Sequence, residues 1–288
     1  MISAWIEAVR LRTLPVSLAG VVAGLALALM HGHFAWLPAA LCLAFATLAQ
    51  IASNFANEYF DFKGGLDRRG REGPRRGVTE GDISPRAMKW AAIATLATAS
   101  VAGCGLLAFG SWWLLPIGIA TVLGALAYST GPYPLSHHGL GEAAVILFFG
   151  VVPVSLTFYL QTGAFTANAW LTSVSIGLMG ANVLIVNNYR DREDDMSVGK
   201  HTLAVILGGR AVSRIYLANG LVAILLMMPV WAELHALWRV IPLAYIPAHI
   251  AIWRQLSRRK GRSLTPLLGM TSVLMATYAC AFLLASLL

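Results

Sequence analysis

Read from its N-terminus, the chain alternates long apolar runs with short polar breaks. Nine runs stand out, near residues 13–31, 35–57, 87–110, 112–129, 140–161, 168–188, 203–230, 236–253 and 265–288. Each approaches the roughly 20 mostly apolar residues that carry a helix across the hydrocarbon core of a bilayer. The pattern predicts an all-α, polytopic membrane protein, a bundle of about nine transmembrane helices. No low-complexity or Pro/Ser-rich segment divides the chain and most connections are short, so residues 1–288 are expected to form a single transmembrane domain.

Composition strengthens this picture. Of 288 residues, 58% are hydrophobic and only 12% charged, with a mean hydropathy of +0.69, well outside the range of ordinary globular domains. The first long run follows "MISAWIEAVRLRTLPVS" without a convincing small-residue cleavage site, so it is expected to stay in the mature protein. Cys42, Cys104 and Cys280 are odd in number, and each sits in an apolar run without a partner motif, which predicts buried thiols.

A net charge of +8 raises the question of nucleic acid, but the positions of the basic residues answer it differently. Arg10 and Arg12 precede the first run. Lys63, Arg68, Arg69, Arg71, Arg75 and Arg76 follow the second, Arg190, Arg192 and Lys200 the sixth, and Arg254, Arg258, Arg259, Lys260 and Arg262 the eighth. With nine spans, all of these lie on one side, which the positive-inside rule makes cytoplasmic together with the N-terminus. The expectation is an integral protein of a bacterial cytoplasmic (inner) membrane that meets membrane lipid and no nucleic acid.

Two polar segments break the apolar pattern with unusual chemistry. In "NNYRDREDDMSVGKH", Asn187, Asp191 and Asp195 are spaced by four, which stacks three oxygen-bearing side chains on one helix face. In the segment after the second run, Asn54, Asn57, Glu58 and Asp61 keep the rhythm of a face until Gly64 and Gly65 break the helix, after which Asp67 is placed to fold back. Carboxylates four apart repel, and charge at membrane depth is costly, so such faces call for a cation. Mg²⁺ prefers oxygen ligands and is commonly shared between carboxylates and substrate phosphates. Two such faces meeting at one cavity would bracket a Mg²⁺-diphosphate, with Lys63, Arg75, Arg76, Arg190 and Lys200 meeting the remaining phosphate oxygens. The plainer reading, solvated cap and loop residues, suits Glu58, Arg192, Glu193 and Asp194 but does not require two matching devices.

These residues resemble the UbiA superfamily of intramembrane aromatic prenyltransferases, whose two Asp-rich motifs stand here as "NEYFDFKGGLD" and "NNYRDREDD". The stretches "LRTLPVS", "EGPRRGVTEGDISP", "AYSTGPYPL", "GLGE" and "NNYRDREDDMSVGKHTLAVILG" look like the branch that prenylates 1,4-dihydroxy-2-naphthoate in menaquinone biosynthesis. The resemblance implies a nine-span bundle with a lateral opening to lipid. It also implies Mg²⁺-dependent transfer of a polyprenyl group from polyprenyl diphosphate to 1,4-dihydroxy-2-naphthoate, with loss of CO₂, to give a demethylmenaquinone. Carried over by position, Asn57, Asp61 and Asp67 would hold one Mg²⁺ and Asn187, Asp191 and Asp195 a second, with Asp61, Asp67, Asp191 and Asp195 as the catalytic carboxylates. Glu58 stands where many members have Asp, and Pro132 where some branches have Lys.

Around this set, Arg12 at the mouth of the first span is a candidate for the acceptor carboxylate, although an arginine there also serves as a topology anchor. Tyr128 and Ser129, ending the fourth run, are candidates for diphosphate or acceptor contact. None of the seven histidines has a second ligand at metal spacing, and the nine tryptophans suit an interfacial belt. Other readings are a sister enzyme acting on 4-hydroxybenzoate or homogentisate and, from another class, an ion-coupled transporter. A transporter would carry its carboxylates near mid-span, whereas here they lie at span ends.

Overall fold

The computed structural model describes residues 2–67 and 75–288, and every regular element among them is helical. The long apolar helices are α2 (Leu14–Met30), α3 (Trp36–Lys63), α5 (Pro85–Leu106), α7 (Gly141–Thr162), α8 (Ala167–Arg190), α10 (Leu203–Ala232), α11 (Ala236–Leu256, opening in a 3₁₀ turn) and α12 (Gly261–Leu287, likewise). A short apolar helix, α6 (Leu114–Ala127), lies between α5 and α7; α1 (Ile2–Val9) precedes α2, and α4 (Gly77–Glu80) and α9 (Arg192–Ser197) occupy the two polar loops.

Among the described residues, seven helices can cross a membrane by length and composition, or eight when the bent pair α1 and α2 is taken as one span. The expected count of nine is reached only by including α6. Its 14 residues rise about 21 Å at 1.5 Å per residue, short of the roughly 30 Å hydrocarbon core.

Near the N-terminus the chain adds a corner that the apolar runs did not announce. α1 and α2 meet at 48°, with Arg10 at φ 55° making the turn. Asn54 of α3 pins that corner, its Nδ2 donating to the Val9 carbonyl at 2.9 Å and to Thr13 Oγ1 at 3.2 Å. Gln50 Nε2 in turn donates to Asn54 Oδ1 at 3.1 Å. A polar side chain facing the bundle interior thus finds backbone and hydroxyl partners, as a low-dielectric interior demands.

The bundle is built around α8, which packs against α2, α7, α10 and α12 and has 72% of its apolar window buried. α2 also packs along α12, so the first and last spans close the ring. α7 reaches α8 through a π-helical stretch, Ile146–Val151, that brings backbone onto backbone: a Cβ on Gly150 would lie 2.4 Å from the Cα of Gly177. Such small-residue crossings are the usual means of tight helix packing in lipid. Interhelical hydrogen bonds complete the core, from Ser175 Oγ to the Ala223 carbonyl at 2.8 Å and from Trp231 Nε1 to Tyr278 Oη at 2.7 Å.

Of the three thiols expected to be buried, only Cys42 is; Cys104 and Cys280 are exposed on α5 and α12. An apolar run in a membrane protein turns some of its residues to lipid rather than to other helices, so an apolar neighbourhood in sequence does not imply burial in protein. α5 illustrates this, with only 11% of its apolar window buried.

Candidate active site

The first polar face forms over the last turns of α3. Asn57 and Asp61 share a side of the helix because four residues return the chain to nearly the same angle. Gly65, at φ 69°, then reverses the backbone, and the Leu66 amide donates to the Asp61 carbonyl at 2.9 Å. This brings Asp67 back beside Asp61, and one guanidinium meets both: Arg76 Nη2 lies 3.3 Å from Asp61 Oδ2 and Nε 3.2 Å from Asp67 Oδ2. Arg76 is buried, and it reaches this position because Glu58, 1% exposed, accepts a hydrogen bond from the Val78 amide at 3.0 Å. The carboxylate of Glu58 thereby ties the start of α4 to α3.

The second face ends α8. Arg190 donates from Nε to Asp191 Oδ1 at 2.7 Å and from Nη2 to Oδ2 at 2.9 Å, a two-pronged pair in which Nη2 also reaches Asn187 Oδ1 at 2.8 Å. Both Arg190 and Asp191 are buried. α9 then carries Asp195, and Gly199 at φ 73° turns the chain so that Lys200 Nζ comes within 3.6 Å of Asp195 Oδ1.

The two faces converge on Tyr128, at the end of α6, which lies within electrostatic reach of Glu142, Arg10, Asp61 and Asp195. The loop after it is fixed to the second face, because the His201 amide donates to the His137 carbonyl at 3.0 Å. Burial, reinforced by the charges of Lys200 and His138, pushes the His137 imidazole down to about 4. It is therefore neutral at physiological pH. Behind Tyr128, the buried Glu142 accepts a hydrogen bond from Asn188 Nδ2 at 2.9 Å, while its Oε2 is shielded without a hydrogen-bond partner among the described residues.

From Tyr128, Gln50 and Ser53 an apolar cavity of about 350 Å³ runs between α2, α3, α5, α6 and α7 toward Leu114 and Leu160. Leu115, Ile119 and Leu123 line it and are also exposed on the outer surface. The cavity therefore opens sideways along α6, where lipid would lie. Tyr128 lines the cavity and lies within electrostatic reach of Asp61 and Asp195, so carboxylates adjoin one end of an apolar channel, which suits an amphiphile with an anionic head and a long apolar tail.

Comparison with known proteins decides the family, since a model of the UbiA prenyltransferase family matches residues 17–274. The chain belongs to the UbiA prenyltransferase family. A 1,4-dihydroxy-2-naphthoate octaprenyltransferase of Escherichia coli (strain K12) is 37% identical over 243 residues, covering 82% of this chain and 79% of that protein. One of Mycobacterium leprae (strain TN) is 34% identical over 282 residues, covering 96% and 94%. Among solved structures, a UbiA homologue from Archaeoglobus fulgidus bound to GPP and Mg²⁺ superimposes with a TM-score of 0.67 over 97% of this chain and 99% of that one, at 18% identity. That last likeness is one of fold.

With the family in hand, the sequence candidates can be placed. Asn57, Asp61, Asp67 and Arg76 come together on one side and Asn187, Arg190, Asp191, Asp195 and Lys200 on the other, with Tyr128 within electrostatic reach of Asp61 and Asp195. Three cations expected among them lie elsewhere. Lys63 is two residues beyond Asp61, hence about 200° around the helix, and lines a separate groove against α5. Arg75 is exposed and pairs with Glu7 at 3.4 Å and with Asp82, and Arg12 is exposed at the corner before α2. Ser129 is buried beside Tyr128, and Asn54 serves the corner described above. Arg68, Arg69 and Arg71 lie outside the described residues.

Sequence reasoning missed Arg10, which acts electrostatically on Glu58 and Tyr128, and the Glu142–Asn188 pair. A signal for the second was present: an ionisable residue at the head of an otherwise apolar span is a functional candidate by default.

Among the described residues no three His, Cys, Asp or Glu side chains gather at metal-binding spacing, since the carboxylates are drawn onto Arg76, Arg190 and Lys200. The donor set nevertheless fits a hard cation. It is made of oxygens alone, and Asn57 Oδ1 is a shielded acceptor without a hydrogen-bond partner among the described residues.

Proposed function

We propose that this chain transfers a polyprenyl group from its diphosphate to 1,4-dihydroxy-2-naphthoate, with loss of the ring carboxylate as CO₂, on the cytoplasmic side of a bacterial inner membrane. One observation carries the reading: Tyr128, within electrostatic reach of Asp61 and Asp195 of the two Asn/Asp faces, lines a cavity of about 350 Å³ whose walls are otherwise mostly apolar. The acceptor is supported by the relatives at 37% and 34% identity that bear that activity in their names. The cytoplasmic placement is supported by the basic loops at this end of the bundle.

Asn57, Asp61 and Asp67 would hold one Mg²⁺ and Asn187, Asp191 and Asp195 a second. Held by these residues, Mg²⁺ would supply the positive charge that offsets the charge developing on a departing diphosphate. Arg76, Arg190 and Lys200 are placed to turn from the carboxylates toward phosphate oxygens, for which a guanidinium fork is well matched. As the bond between the allylic carbon and the diphosphate oxygen breaks, the electron-rich ring attacks that carbon. The ring carboxylate leaves as CO₂, and the product has the demethylmenaquinone skeleton in its hydroquinone form. The apolar walls exclude water, which would otherwise capture the allylic cation. Tyr128, which lines the cavity and is within electrostatic reach of Asp61 and Asp195, would contact the diphosphate or the acceptor ring.

The test is product formation by detergent-solubilised protein from polyprenyl diphosphate and 1,4-dihydroxy-2-naphthoate, with and without Mg²⁺, beside Asp61→Ala and Asp191→Ala. Mg²⁺-dependent prenylated naphthohydroquinone, recovered as the quinone after oxidation by air and absent in both variants, is the expected result. Reaction with 4-hydroxybenzoate or homogentisate but not with the naphthoate would replace the acceptor. Folded, Mg²⁺-binding protein inert toward every acceptor would remove the enzymatic reading in favour of an ion-coupled transporter.

A further inference from the structure

α3 presents two opposed faces near its end. Asn57, Glu58 and Asp61 turn toward the site. On the other side, Ala56 and Lys63 of α3 face Lys89, Ala92 and Leu96 of α5 across a groove of about 320 Å³, which Ala125 of α6 helps to line. The helical spacing is self-consistent, since Ala56 and Lys63 are seven apart, as are Lys89 and Leu96. Both lysines are exposed. Among the described residues neither forms an ion pair or hydrogen bond, and no acidic residue lines the groove. Beside it on α5, Trp90 and Ile93 are 58% and 44% exposed, so the groove opens on the outer, lipid-facing side of the bundle.

We propose that this groove binds one anionic phospholipid of the adjacent leaflet, its phosphodiester held between Lys63 and Lys89 and the first carbons of an acyl chain laid against Ala56, Ala92 and Leu96. Basic pockets between transmembrane helices favour acidic head groups in this way. Two ammonium groups without an ion-pair partner among the described residues select an anionic lipid over a zwitterionic one, which brings its own cation to the same place. The small side chains leave room for a chain to descend along α3 and α5. Ser53 and Ala125 line both this groove and the reaction cavity, so the lipid would stand against the outer side of the cavity wall. The proposal is independent of which acceptor is prenylated, and its test does not use turnover.

The full chain in detergent would be titrated with phosphatidylglycerol and, separately, with phosphatidylcholine of the same acyl chains, and bound lipid counted by native mass spectrometry. Wild-type protein is expected to retain the first about tenfold more tightly, as two lysines near a phosphate head allow. The Lys63→Gln/Lys89→Gln variant should lose that preference to within about twofold, Lys63→Arg/Lys89→Arg should keep it, and Arg258→Gln/Arg259→Gln, in another exposed basic loop, should leave it intact. No preference in wild type, or a preference that survives Lys63→Gln/Lys89→Gln, overturns the proposal. So does a double variant that binds phosphatidylglycerol normally and loses farnesyl diphosphate, which would make the groove a station for the prenyl donor.

Discussion

Carboxylates at the end of a membrane span need counter-charge, and here the chain supplies its own: Arg76 for Asp61 and Asp67, Arg190 for Asp191, Lys200 for Asp195. This separates two kinds of substitution. Removing a proposed metal ligand, as in Asp61→Ala or Asp191→Ala, should cost about a thousandfold or more in kcat, because the leaving group loses several kcal/mol of stabilisation. Removing one of the cations proposed to meet phosphate, as in Arg76→Gln, should cost about a hundredfold and leave Mg²⁺ still required. Turnover measured across a Mg²⁺ titration distinguishes the two, and a requirement for Mg²⁺ lost in Arg76→Gln would contradict the assignment. Glu58 answers differently from its neighbours. Its carboxylate holds the Val78 amide, so Glu58→Ala should lower stability by about 1–3 kcal/mol, whereas Glu58→Gln keeps an acceptor oxygen and most of the stability. Thermal unfolding in detergent reads that contrast, and a variant that stays stable but needs far more Mg²⁺ would make Glu58 a ligand instead.

At the scale of elements, the crossing of α7 on α8 and the loop that joins α6 to the second polar face are the sensitive places. A methyl group on Gly150 meets the Gly177 backbone, which cannot yield as a side chain can. Gly150→Ala is therefore expected to destabilise by about 1–3 kcal/mol, while Gly118→Ala, with nothing within 4 Å of its Cβ, should be close to neutral. Matching midpoints for the two variants in thermal unfolding would refute this account of the packing. The loop carries a pH dependence. His137 is held neutral, its value lowered from 6.5 to about 4. A depressed folded value means that its contribution is fully present above about 6.5 and is lost as pH falls toward 4. The loop should loosen over that window, and His137→Gln should flatten part of the fall in unfolding temperature between those limits. If the wild-type and variant profiles coincide, the imidazole has no such role.

For the molecule as a whole, what could be read from sequence was what depends on neighbours along the chain. The apolar runs foretold the spans, and Asn187, Asp191 and Asp195 announced their shared face through spacing alone. α1 was missed because eight residues are too few to register as a span, and the placement of Arg76 depends on contacts that no local pattern encodes. Lys63 is a different case, because its angle from Asp61 was calculable from the helical repeat, and charge rather than direction guided its assignment. The cavity could not be foreseen, since five helices contribute its walls, and it sets the remaining expectation. Its apolar length runs beside α6, from Tyr128 to Leu114, and Gly118 lines it on that helix with open space at its Cβ. Filling that space with Gly118→Phe should obstruct a long prenyl tail while leaving the carboxylate faces untouched. The expected result is a KM that rises about tenfold or more for long-chain donors, with little change for a short one such as dimethylallyl diphosphate, since only the long tail meets the new ring. A rise shared equally by short and long donors would mean that the tail takes another route, out of the lateral opening before it passes Gly118.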